Sequence, residues 1–257
     1  MKLNFTDQGS GPAVILMHGM FGSLSNLGNL GRQLLKQNHR VIAVDLRNHG
    51  DSPHEQAMSI PLMAADIIEL MDDLAIERSH LVGHSLGGKL GMQLVLQFPD
   101  RVDRLVVADI APVHYPQTNN DVVQALANLD DQIIGSRQEA DQLMAKWITD
   151  KTTRAFILKS LQRDATGRFK LKLNVKSIVA NYSNSLVDAP VGQSYQGPVL
   201  FIKGENSAYI QDKHRPIIAD LFPGAEFQII EGAGHWLHAE KPEEFNRLVI
   251  DFLGANR

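Results

Sequence analysis

Residues 81–90 read LVGHSLGGKL, and two kinds of chemistry fit their spacing. Gly83-x-x-x-x-Gly88-Lys89 has the outline of a loop that cradles phosphate between backbone N–H groups and a lysine. Gly83-His84-Ser85-Leu86-Gly87 is a G-x-S-x-G turn, which presents a serine hydroxyl as a nucleophile. The phosphate loop needs Ser or Thr after its lysine to hold Mg²⁺, and this chain has Leu90 there. RLVVAD (104–109) could imitate a second nucleotide motif, but that reading leaves the remaining polar clusters of the chain without a purpose.

The serine reading employs them. Glycines two before and two after Ser85 allow close backbone approach on a tight strand-to-helix turn, so that the hydroxyl stands clear. The start of the following helix adds positive potential and the free N–H of Leu86, aimed where an attacked carbonyl oxygen becomes negative. HGMFG (18–22), after the run AVILM, is placed to supply a second N–H from Met20, with Phe21 as the alternative. A serine hydroxyl also needs a base, and ten histidines are available. His39, His54, His80 and His214 sit in polar surroundings, His18 and His49 lie inside turn motifs, and the His84 side chain should point away from the serine. His235 in GAGHW falls in a glycine-rich loop after the last apolar run and before KPEEF, with His238 as the fallback. The carboxylate of such a triad commonly follows the strand that precedes the histidine's strand. Here that loop is KGENSAY, where the expected position holds Ser207. Glu205 lies too close to the strand end and Asp212 too far along, whereas Asp109 ends the strand after the serine unit, at the same sheet edge. Asp109 is therefore the expected acid, and Ser207 is either a hydrogen-bonding helper or an ordinary loop serine.

These residues need a scaffold that brings distant segments to one rim. Apolar runs at 13–19, 40–45, 79–84, 104–109, 198–204 and 226–232 suit strands buried on both faces of a parallel sheet. Amphipathic stretches separate most of them. In IPLMAADIIELMDDL, Met63, Ile67, Leu70, Met71 and Leu74 share one helical face, with Ser59 and Pro61 near the start. The alternation predicts an α/β fold with helices on both sides of the sheet. It breaks over 112–192, which reads as mostly helical with no convincing buried strand. An insertion after a strand lands at the carboxyl edge of the sheet, so this segment is expected to be a helical cap over a pocket, with 1–111 and 193–257 as a discontinuous core.

At 257 residues one globular unit is expected. The absence of cysteine excludes disulfides, thiolate metal sites and a cysteine nucleophile. A formal net charge of -4 gives no overall pull toward nucleic acid or an anionic membrane. No run reaches membrane-spanning length, and MKLNFTDQGSG lacks the apolar core of a signal peptide, so a cytoplasmic protein with no membrane insertion is expected. The charge is uneven. Eight Lys and Arg between Lys151 and Lys176 face one acid, Asp164, which leaves the remainder strongly acidic. Those cations are either solvated helix faces or a clamp for the phosphates of an acyl-CoA substrate.

HGMFGSLSNLG, DLRNHGDSP, GHSLGGK, DIAPVHY, GENSAY and GAGHWLHAEKP, in that order, resemble the α/β-hydrolase superfamily, and within it the YbfF-like bacterial esterases and abhydrolase-domain proteins. The resemblance covers nearly the whole chain. It implies an α/β-hydrolase fold and a serine esterase acting on small to medium acyl esters, with acyl-CoA thioesters as an alternative substrate and no metal or organic cofactor. It also implies Ser85, His235 and Asp109 as the triad, with a serine at the customary acid position, here Ser207. Other reactions on this fold, and a non-catalytic ligand-binding module, are the competing possibilities.

Overall fold

The computed structural model describes residues 1–115, 120–130, 132–182 and 186–254. The elements follow the apolar runs: β1 (Phe5–Gln8), β2 (Ala13–Met17), α1 (Gly28–Lys36), β3 (Arg40–Val44), α2 (Ile60–Asp73), β4 (Ser79–His84), α3 (Leu86–Gln97) and β5 (Val102–Ala108). The excursion after β5 holds α4 (Asn120–Asp130), α5 (Arg137–Met144), α6 (Lys151–Leu158), β6 (Leu161–Arg163), β7 (Phe169–Leu171) and α7 (Val175–Asn181). The chain then resumes with β8 (Val199–Gly204), α8 (Arg215–Leu221), β9 (Glu226–Ile230), α9 (Leu237–Glu240) and α10 (Pro242–Gly254).

Seven strands form one sheet in the order β1-β3-β2-β4-β5-β8-β9. Only β1 runs antiparallel, pairing with β3 at the edge. The sheet is therefore mostly parallel, the architecture of an α/β hydrolase. In the register, Met17 lies beside Gly83, Gly83 beside Val107, Ala108 beside Ile202, and Gly204 beside Ile230. The loops that leave β2, β4, β5, β8 and β9 consequently emerge along one edge.

Side-chain alternation along these strands builds two cores. Ile15, Met17, Leu81, Leu105, Val107 and Phe201 pack on the face covered by α2 and α3. Val14, Leu16, Val82, Val106, Leu200 and Ile202 pack on the opposite face with residues of α1 and α10. Every residue of β4 is buried, as a central strand covered on both sides requires. Burying each large aliphatic or aromatic side chain contributes about 1.5–3 kcal/mol. The caps follow local chemistry: Ser59 accepts the Leu62 N–H at the start of α2, and Pro61 stands in the first turn, where its missing N–H costs nothing.

The excursion, expected to be mostly helical, also holds a short two-stranded element. After α6 the chain forms a hairpin, with Leu161–Arg163 antiparallel to Phe169–Leu171 and Gly167 at φ 83° in its turn. Segments of three residues are too short to carry a period, which is why SLQR reads as the tail of a helix.

Several histidines expected in polar surroundings are instead buried, among them His39, His80 and His214. Burial holds His80 and His18 down at about 4 and His49 and His238 at about 3, so all are neutral in the fold at neutral pH. The unfolded chain titrates these groups near 6.5 and thus binds protons that the folded chain does not. Stability is accordingly full above about 6.5 and is lost as pH falls from there toward about 3. Melting temperatures measured across that window should fall with pH, and His80→Gln should flatten the slope.

Candidate active site

Ser85 links β4 to α3 with φ 50° and ψ −112°, a conformation serine rarely adopts. The surrounding glycines explain how the turn closes. A Cβ on Gly83 would lie 2.1 Å from the Gly87 carbonyl oxygen, and one on Gly87 would lie 2.2 Å from that of Met17. The Ser85 N–H donates to the Ala108 carbonyl at 2.9 Å, tying the turn to β5. Leu86 begins α3, so its N–H has no partner within the helix.

This tight turn leaves the phosphate-loop reading without support. Leu90 is fully buried in the apolar core. The Lys89 ammonium donates to the carbonyls of Val187 and Asp188 at 2.6 and 2.7 Å and lies 4.9 Å from the centre of the Tyr115 ring. Burial lowers its pKa to about 7. The lysine thus secures the returning end of the excursion to α3. Among the described residues no group of three or more His, Asp or Glu could hold a metal ion.

The structure brings Ser85, His235 and Asp109 together. Ser85 Oγ lies 3.1 Å from His235 Nε2, and His235 Nδ1 lies 2.7 Å from Asp109 Oδ2. With the imidazole proton on Nδ1, that atom donates to the carboxylate and Nε2 is left to accept from the serine. Asp109 is fully buried and sits at φ 55° directly beyond β5. Its Oδ1 accepts the Gly204 N–H at 3.1 Å, and its Oδ2 also accepts the Ser207 hydroxyl. The other acids considered stand elsewhere. Glu205 accepts the Gly232 N–H at 2.8 Å, and Asp212 is fully exposed.

The remaining histidines separate by their partners. His238 is buried against His84, with ring centres 4.4 Å apart, and is no part of the chain of hydrogen bonds. His84 Nε2 donates to the His235 carbonyl at 2.8 Å, so it supports the loop that carries His235. Tyr209 stacks on the His235 ring at 4.0 Å and 25°, and Trp236 stacks on Phe156 of α6 at 3.8 Å. The Tyr209 contact has no signature in the sequence beyond its place two residues after Ser207. Lys89 was visible there only as the last residue of the rejected motif.

Met20, Leu86, Ser85 and His235 line one cavity of about 400 Å³. Phe21 also lines it, but the Phe21 N–H is committed to His49 Nε2 at 3.1 Å, which leaves Met20 as the N–H from this turn. The wall opposite the sheet comes from the excursion, through Ile148, Ile157 and Leu186. Its carboxylates, Asp121 and Asp150, also line the cavity, whereas none of the eight cations between Lys151 and Lys176 does. Arg154 is buried against Asp141 at 2.7 Å and the carbonyls of Ile148 and Thr149, and Lys172 pairs with Asp51 at 2.6 Å.

No helix among the described residues is long and apolar enough to cross a membrane. A family described as alpha/beta hydrolase fold matches residues 12–242. Esterase YbfF of Escherichia coli K12 is 38% identical over 259 residues, covering 98% of this chain and 99% of that protein. The sn-1-specific diacylglycerol lipase ABHD11 of Xenopus laevis is 38% identical over 251 residues, covering 95% of this chain and 80% of that protein. A solved structure described as a marine microorganism esterase superposes with a TM-score of 0.92 at 36% identity, covering 98% of this chain and 99% of the other. Matched in sequence and in fold over nearly its whole length, the chain belongs to the alpha/beta hydrolase fold family and is a hydrolase.

Proposed function

We propose that the protein is a serine carboxylic-ester hydrolase working through an acyl-enzyme. The observation that carries this reading is the unbroken set of hydrogen bonds from Ser85 Oγ through the His235 ring to the buried Asp109 carboxylate, opening onto a cavity with both apolar and polar walls. His235 takes the Ser85 proton as Oγ attacks the ester carbonyl, and Asp109 stabilises the imidazolium that forms. The N–H groups of Met20 and Leu86 hold the oxyanion. The imidazolium then protonates the departing alcohol. Water, deprotonated by His235, cleaves the acyl-enzyme, releases a carboxylic acid and restores the serine. Ser207 helps by donating to the same Asp109 oxygen that accepts His235, which fixes the carboxylate against rotation.

Residues 112–192 act in this scheme as a cap over the core formed by 1–111 and 193–257, excluding water and shaping the acyl pocket. The cavity volume of about 400 Å³ and its Ile148, Ile157 and Leu186 wall suit small to medium acyl chains. The same chemistry would open a thioester. Capture of acyl-CoA phosphates by the basic segment is disfavoured, because its cations lie outside the cavity and two aspartates lie along it.

Ser85→Ala should lower turnover of a p-nitrophenyl ester by about 10⁴ or more with the melting temperature preserved. Undiminished activity would refute the assignment. Asp109→Asn should cost about 10³–10⁴ in kcat and Glu205→Gln less than about tenfold, and the reverse ranking would move the acid to Glu205. In a salt series, the ratio of acyl-CoA to matched simple-ester turnover should stay flat. A ratio that declines as salt rises would restore a steering role to the basic segment.

A further inference from the structure

The turn that carries Met20 is gripped from two sides. Gly19 to Gly22 form a β-turn closed by the Gly22 N–H to the Gly19 carbonyl at 3.1 Å. Its third residue, Phe21, has φ 66°, a conformation that turns of this form normally assign to glycine and that a bulky side chain avoids. A strained residue persists only where its surroundings over-determine it. Both backbone polar atoms of Phe21 are engaged: its N–H donates to His49 Nε2 at 3.1 Å, and its carbonyl accepts the Ser160 hydroxyl at 2.5 Å.

Each partner is itself fixed. His49 Nδ1 donates to the Arg47 carbonyl at 2.8 Å, which places the ring proton there and leaves Nε2 as the acceptor. Burial and the neighbouring His18 keep the ring neutral. Arg47 in turn holds the buried Asp66 of α2 through two hydrogen bonds of 2.7 and 2.8 Å. Ser160 comes from the excursion, at the base of the β6–β7 hairpin, which is closed by the Lys172 N–H to the Ser160 carbonyl at 2.8 Å. The same base is stapled to the loop RNHGDSP. Gly50 N–H donates to the Lys172 carbonyl at 2.8 Å, Asn174 N–H donates to the Asn48 carbonyl at 3.0 Å, and His49 bridges to Leu173. The hairpin base therefore meets the Met20 turn by two routes, directly through Ser160 and indirectly through His49.

We propose that Ser160 and His49 are positioning residues for the oxyanion-binding N–H of Met20, so that transition-state stabilisation depends on how the hairpin base is seated. The inference rests on the serine-hydrolase reading above and deepens it. It also gives a purpose to RNHGDSP, a segment that the Ser85, His235 and Asp109 chemistry leaves unused.

Steady-state kinetics on a p-nitrophenyl ester test it, together with the affinity for a trifluoromethyl ketone, whose adduct occupies the oxyanion position. Removing an oxyanion donor outright costs about 10²–10³ in kcat, so mis-aiming one should cost about tenfold. Ser160→Ala is expected to lower kcat by about that factor, leave KM within about twofold and weaken the ketone in parallel. Ser160→Thr, which keeps the hydroxyl, should recover most of the loss. Ser160→Cys, close in size but a weak donor, should behave as alanine does and stands in if the alanine variant fails to fold. A kcat for both the alanine and cysteine variants within about twofold of the starting protein, or a loss confined to KM, would overturn the proposal. Failure of the underlying reading looks different: Ser85→Ala would then keep its turnover, although that variant leaves Ser160 and His49 untouched.

Discussion

A carboxylate sealed from water costs several kcal/mol unless donors replace its hydration, and Asp109 is sealed completely. Its replacements are three donors from two segments: the Gly204 N–H at the end of β8 and the Ser207 hydroxyl just beyond it, and His235 Nδ1 in the loop after β9. None of these donors is local to Asp109, so the charge is tolerable only in the assembled sheet. The order β4-β5-β8-β9 satisfies that requirement, because it sets the ends of these strands side by side. Folding and the orientation of the imidazole are thus the same event, since the bond that compensates the buried charge also fixes the His235 ring.

The rim where these loops emerge concentrates backbone strain. Of the six non-glycine residues with positive φ among the described residues, Phe21, Asn48, Ser85 and Asp109 all belong to the loops that leave β2, β3, β4 and β5. Each is held by bonds that a relaxed backbone would lose. Ser85 is tied to Ala108, Asp109 N–H donates to the Ile202 carbonyl, Phe21 is held by His49 and Ser160, and Asn48 accepts the Glu55 N–H. Strain of this kind, of order 1–3 kcal/mol per residue, gathers where geometry must be set before a ligand arrives.

The excursion between β5 and β8 is bound to the rest of the molecule by polar contacts at its two ends and at its hairpin. Lys89 grips the returning chain at Val187 and Asp188, and Tyr115 at the outgoing end donates its N–H to Val187. Asn48, Gly50 and Phe21 meet the hairpin base. Ile148, Ile157 and Leu186 of the excursion face the cavity, while Arg154 turns to Asp141 and local carbonyls, Lys172 to Asp51, and Arg163 to the Phe169 ring. A cluster of positive charge in sequence therefore does not become a positive patch at the cavity.

Much of this was legible in the residue order because it is local. Continuous β-branched runs mark strands buried on both faces, and the glycines around Ser85 mark a turn that no side chain could enter. The alternation of strand and helix then restricts where the loops emerge. Asp109 is legible less directly, as the carboxylate that ends the run RLVVAD at the same rim. What escaped was either short or nonlocal. The edge strand β1 has four exposed residues and pairs with β3 through its backbone and the Asp7–Arg40 ion pair, so no apolar run announces it. The β6–β7 hairpin is shorter than any period. The tasks of Lys89, Tyr209, His49 and Ser160 depend on partners 28 to 139 residues away in the case of His49 and Ser160, and about as far for Lys89 and Tyr209. Spacing along a chain determines which backbone shapes are open to it, whereas which buried donor meets which acceptor is decided only when the packed sheet brings the loop ends together.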